Sequence, residues 1–126
     1  MELMERLLES LKSMDYSGFD EERIESILDD RDNDPFDSEW CRVYDEINKL
    51  KNSEVYTKDN EKEYLDFSRR AFEIIENGVE KCEELSCYAA DDFGLIYDSL
   101  VLGFKDEWLD KLTASYMNGN FPHGEL

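Results

Sequence analysis

Three groups of residues have types and spacings that could do chemistry. The first is DDRDNDPFDSEW, residues 29–40, where Asp30, Asp32 and Asp34 stand at alternate positions. Calcium-binding loops begin with that spacing, because side-chain oxygens two residues apart can converge on one hard cation. The loop also needs a glycine at its sixth position for a sharp turn and a bidentate glutamate at its twelfth. Counted from Asp30, those places hold Pro35 and Cys41. Counting from Asp29 puts Arg31 at the third place, and counting from Asp32 puts Phe36 at the fifth. No frame supplies a ligand set, so no metal site is expected.

The second group is Glu21, Glu22 and Glu25. Its EExxE pattern resembles the first half of the magnesium motif of all-α nucleotide pyrophosphohydrolases, where one helix face gathers carboxylates on a cation. That chemistry needs an ExxD pair close behind. Glu63–Asp66 and Glu107–Asp110 have the letters but lie too far along the chain. The third group is Cys41, Cys82 and Cys87 with the single histidine, His123. A nucleophile needs a rigidly oriented base, and His123 sits in a tail, 118–126, that its Gly and Pro residues mark as flexible and exposed. There is no CxxC pair, zinc set, Gly-rich phosphate loop, GxSxG or HExxH. The reading is therefore a protein that is not an enzyme, with no catalytic residues and no cofactor.

What must position these residues is a set of helices. Asp34 before Pro35 suits an N-cap followed by a first helical residue, with Asp37 adding negative charge at the positive end of the helix dipole. From Phe36 the apolar residues Trp40, Val43, Tyr44, Ile47 and Leu50 recur on one helical face. Asp29, Asp30 and Asp32 are left in a loop behind a short helix that turns Phe19, Ile24, Ile27 and Leu28 inward, with Ser17 or Asp20 as its cap. Residues 2–13 form an amphipathic first helix through Leu3, Met4, Leu7, Leu8 and Leu11.

Thr57 or Asp59 can cap a helix bearing Tyr64, Phe67, Ala71, Phe72 and Ile75, with Gly78 as its stop. Residues 79–88 are helical, either alone or joined to 89–102, which stops at Gly103. A last helix covers about 105–117. Cys41 and Cys82 fall on or near apolar faces, where buried thiols are common. Asp91 and Asp92 read as helix-surface charge. Period-two alternation is missing throughout, so the fold class is all-α: one compact domain, 1–126, built as a bundle of six or seven helices.

Charge decides which partners are possible. The 126 residues carry 33 Asp and Glu against 14 Lys and Arg, a net charge of -19. With 40% hydrophobic residues, including seven Phe and seven Tyr, the chain can still bury a core. Direct contact with nucleic acid or an anionic membrane is disfavoured, because each phosphate needs a cation to neutralise it. A basic protein is favoured. Residues 15–39 hold eleven acids against Arg23 and Arg31, nine net negative charges in 25 residues. Self-repulsion at that density works against folding, which points to a contact surface. The opening MELMERLLESL has no basic stretch of a signal peptide, and no apolar run reaches membrane-spanning length. A cytoplasmic chain, monomeric when free, is expected.

The C-terminal half, with AADDFGLIYDSLVLGF and SYMNGNFPHG, resembles the small acidic helical immunity proteins of polymorphic toxin and contact-dependent growth inhibition systems. That resemblance implies binding and neutralisation of a cognate antibacterial toxin. The charge adds that the toxin is basic, as a nuclease such as an RNase domain is. The residues expected to meet it are Glu22, Glu25, Asp29, Asp30, Asp32, Asp34, Asp37 and Glu39. Phe36, itself expected in the core, or Tyr16 could serve as an apolar anchor if exposed. The alternatives are a nucleic-acid mimic that blocks a restriction or CRISPR enzyme, an acidic adaptor, and the magnesium-dependent pyrophosphohydrolase.

Overall fold

A computed structural model describes residues 2–52, 54–79 and 82–126. Residues 2–13 form α1 (Glu2–Ser13), burying Met4, Leu7, Leu8 and Leu11 as their spacing requires. Asp20 caps α2 (Glu21–Asp32) by accepting a hydrogen bond from the Arg23 backbone N–H at 2.8 Å. The helix does not stop at Leu28. It runs on through Asp32, so Asp29, Asp30 and Asp32 are its last turn rather than a loop.

Helix α3 (Phe36–Lys51) starts differently from the sequence expectation. Pro35 itself takes the cap position without a side-chain hydrogen bond, and the Asp34 carboxylate accepts from the Ser38 hydroxyl instead. Asp37 does lie in the first turn of α3.

Thr57 and Asn60 form a reciprocal capping box at the start of α4 (Lys58–Gly78). Val79 closes α4 by donating its N–H to the Ile75 carbonyl at 2.8 Å. From Glu83 the chain is one continuous helix, α5 (Glu83–Leu102), so most of 79–88 belongs to it; Glu80 and Lys81 lie outside the described residues. Gly103, at φ 68°, supplies the left-handed turn that ends α5. Asp106 caps α6 (Glu107–Met117) through the Leu109 N–H at 3.0 Å.

Helix α5 is the centre of the bundle. Its sequence has little polar surface, and it is buried on most of its circumference, from Leu85 through Ser99. It packs most extensively along α4, with α3 and α2 on its other sides, while α1 bridges α4 and α6. The α4–α5 approach depends on Gly94: a Cβ there would lie 2.7 Å from Tyr64 Cζ. The described residues thus form an all-α bundle of six helices.

Several residues expected at the surface or in the core change places. Asp92, read as surface charge, is 0% exposed. In the closing segment Phe121 and Pro122 are buried, and His123 is half-buried with Nδ1 2.9 Å from Asp30 Oδ2. Cys41 is exposed rather than buried, because the inward stripe of α3 runs through Phe36, Val43 and Ile47. Among the described residues no helix is long and apolar enough to cross a membrane.

Candidate functional site

Glu22, Glu25, Asp29 and Asp32 follow one another at steps of three, four and three along α2, which puts them on one stripe of the helix. All four are exposed, and Asp37 follows on the exposed first turn of α3. Glu22, Glu25, Asp29 and Asp37 have no ion pair or side-chain hydrogen bond among the described residues. Asp32 accepts from the Tyr88 hydroxyl.

The other three acids expected to meet a partner are held within the protein. Asp30 faces His123 in the closing segment, and Asp34 faces Ser38. Glu39 pairs at 2.8 Å with Arg42, whose Nη1 also reaches Asp106 at 2.9 Å. The eight acids therefore divide into an outward stripe and a set of internal partners.

What aims the stripe outward is on the opposite side of α2. Arg31, 4% exposed, forms a bidentate pair with Asp92 of α5, at 2.8 Å from Nη1 and 2.7 Å from Nη2. Nη1 also donates to the Pro122 carbonyl at 3.1 Å. The guanidinium lies 4.4 Å from the Phe36 ring centroid and 4.5 Å from that of Tyr88. Asp92 accepts further hydrogen bonds from Trp40 Nε1 at 2.9 Å and from the Tyr116 hydroxyl at 2.5 Å. Burial opposes the charge on Arg31, but the Asp92 carboxylate outweighs it and holds the guanidinium above its ordinary range. Burial, then the same carboxylate, pushes the Tyr116 hydroxyl well up. One ion pair thus ties the acidic end of α2 to α3, α5, α6 and the closing segment.

The sequence carried a signal for this node. Arg31 falls on the apolar stripe with Ile24 and Ile27, and Asp92 on the stripe Leu85, Ala89, Ile96 and Ser99. A charge on a core stripe needs a partner of opposite sign.

Beside the acidic stripe, the seam between α3 and α5 opens into two hollows. One, of about 220 Å³, is rimmed by Asp32, Asp37 and Asp91. The other, of about 350 Å³, runs past Tyr44 and Tyr64 to Lys51 and Asp98. Trp40 and Asp91 line both. The Trp40 and Tyr44 rings stack with centroids 5.2 Å apart and planes 18° apart, and Tyr44 is 44% exposed. Sequence reasoning had placed this pair on the inward face of α3. Neither proposed anchor is available, since Phe36 is 1% exposed and Tyr16 is half-buried, donating its hydroxyl to the Leu11 carbonyl at 2.6 Å. Among the described residues no three carboxylate, histidine or cysteine side chains, including Glu21, Glu22 and Glu25, are gathered as a metal site.

The family model described as "Immunity protein PIM1" matches residues 3–123. The chain belongs to the PIM1 family of immunity proteins. The matched span contains nearly all of α1 and the whole of α2 to α6, and it reaches Phe121, Pro122 and His123. The contacts of the closing segment with Arg31 and Asp30 thus lie within the family region. An immunity protein has a cognate toxin as its partner, and the PIM1 family is typically non-enzymatic. No curated protein and no solved structure matches the chain.

Proposed function

We propose that this PIM1 immunity protein neutralises a basic nuclease toxin by presenting the carboxylates of α2 and early α3 to the toxin's phosphate-binding surface. The observation that carries this reading is the stripe of Glu22, Glu25 and Asp29, exposed and unpaired among the described residues, in a chain of net charge -19. Asp32 and Asp37 extend it, and Asp30, Asp34 and Glu39 add to the local field from behind. A nuclease cleft is basic because it must hold phosphates, so opposite fields draw the two proteins together and raise the association rate at low salt. Fast capture suits a protein that must act in the cytoplasm before a delivered toxin does, as in contact-dependent growth inhibition.

The test is a pull-down from the native host after nuclease treatment, at low and moderate salt, with mass spectrometry of the bound fraction. One basic toxin domain retained near one-to-one, less tightly as salt rises, supports the reading when the protein also blocks its RNA cleavage. A DNA-processing enzyme displaced by added DNA would replace it with nucleic-acid mimicry.

A further inference from the structure

We infer that the α3–α5 seam seats an arginine side chain of the toxin, its guanidinium laid against the Trp40–Tyr44 pair and ion-paired with Asp91. The inference rests on the toxin-binding reading above and names the contact that would give that binding its affinity. Exposed charges steer an encounter but contribute little to affinity once formed, and tight interfaces are held by a few packed anchors. The α2 stripe has carboxylates and no anchor. The neighbouring seam has the aromatic surface that the stripe lacks.

Two features choose the occupant. The first is charge. Arg31 lines the first hollow but is neutralised by Asp92, and Lys51 at the far end of the second is held by Asp98 at 2.6 Å. That leaves Asp32, Asp37 and Asp91 facing the seam without an ion pair of their own among the described residues. Burial, then the Asp92 charge beside it, pushes the Asp91 carboxyl up, which an incoming cation would offset.

The second feature is shape. The Trp40 ring is fixed by its hydrogen bond to Asp92, and Tyr44 stacks on it, so the aromatic surface is already ordered before anything binds. A planar guanidinium can stack on such a surface while pairing with a carboxylate, whereas an ammonium is a strongly hydrated point charge. The fold uses the same chemistry one layer deeper, where Arg31 lies between Phe36 and Tyr88 and pairs with Asp92.

Two probes test this. The first is N-acetyl-arginine amide titrated into the ¹⁵N-labelled protein, with N-acetyl-lysine amide as comparison. The Trp40 indole resonance and the amides around Asp91 should shift saturably, with Trp108 as an internal control. The arginine probe should bind several-fold more tightly than the lysine probe, and Y44A or D91N should weaken it severalfold. The second probe is the toxin domain recovered by the pull-down. Y44A and D91N should weaken its binding ten- to a hundredfold, mainly through faster dissociation, with far-ultraviolet circular dichroism and urea midpoints unchanged. No saturable shift at Trp40, or equal shifts at Trp40 and Trp108, overturns the inference. So does a toxin that both variants bind as the wild type does, although the immunity reading then stands. A wild-type protein that retains no basic toxin overturns the nuclease-toxin reading, and with it that toxin as occupant.

Discussion

Replacing Asp92 with asparagine changes one atom of a side chain that water does not reach, and the cost should be large. Arg31 would keep the Pro122 carbonyl and the faces of Phe36 and Tyr88 but lose its counter-charge. Breaking a buried pair in this way costs about 3–5 kcal/mol, because the remaining charge stays desolvated. Against a total stability of roughly 5–15 kcal/mol for a domain, D92N should leave the protein marginal. In urea, with an m value of about 2 kcal/mol per molar, the midpoint should fall by roughly 2 M.

R31M is the informative partner, since an amide at position 92 can turn its oxygen to Trp40 Nε1 and donate its NH₂ to the Tyr116 hydroxyl oxygen, leaving no buried charge. The double variant R31M/D92N should be more stable than the sum of the single losses allows, by about 2–3 kcal/mol. Losses that add to within about 0.5 kcal/mol, or a D92N cost below about 1 kcal/mol, would refute the view that this pair holds α2 to the bundle.

The E22Q/E25Q/D29N variant, which touches no internal partner, should slow toxin association roughly tenfold at low salt and flatten its salt dependence; stopped-flow mixing at several ionic strengths checks this, and unchanged rates would remove the stripe from the mechanism. G94A should destabilise the protein by about 1–2 kcal/mol despite the better helix propensity of alanine, since the added methyl meets the Tyr64 ring; chemical denaturation reads it. D106A should cost about 1–2 kcal/mol at neutral pH by removing the α6 cap. The hydrogen bond from Arg42 holds the Asp106 carboxyl below its ordinary value, so its contribution is complete above the unfolded pKa and is lost as pH falls through the folded one. The gap between D106A and wild type should therefore narrow below about pH 4, and urea midpoints measured down the pH scale will show whether it does.

Helix existence was legible because it is a local property. The stripe Met4, Leu7, Leu8 and Leu11, the Asp20 and Thr57 caps and the Gly103 stop each act within one or two turns. The acidic density of residues 15–39 was legible as well. The errors came where a local pattern had two physical solutions. Asp29, Asp30 and Asp32 look like a loop when Asp34 is taken as the next cap, yet Arg31 between them belongs to the core stripe of α2 and carries the helix through Asp32. Trp40 and Tyr44 share the helical period of Val43 and Ile47, and only the placement of α5 leaves Tyr44 at the edge of the seam.

The sequence by itself determined that this chain folds as helices and carries a large negative charge, because periodicity and composition need no knowledge of what lies opposite. Tertiary structure decided which carboxylates have a partner inside the protein. Asp92 became the buried partner of Arg31 across 61 positions of chain, and Asp30 turned to His123 across 93. Glu22, Glu25 and Asp29 stayed in water. A charge is committed or available according to its neighbours in space, and helix spacing names only the neighbours along the chain.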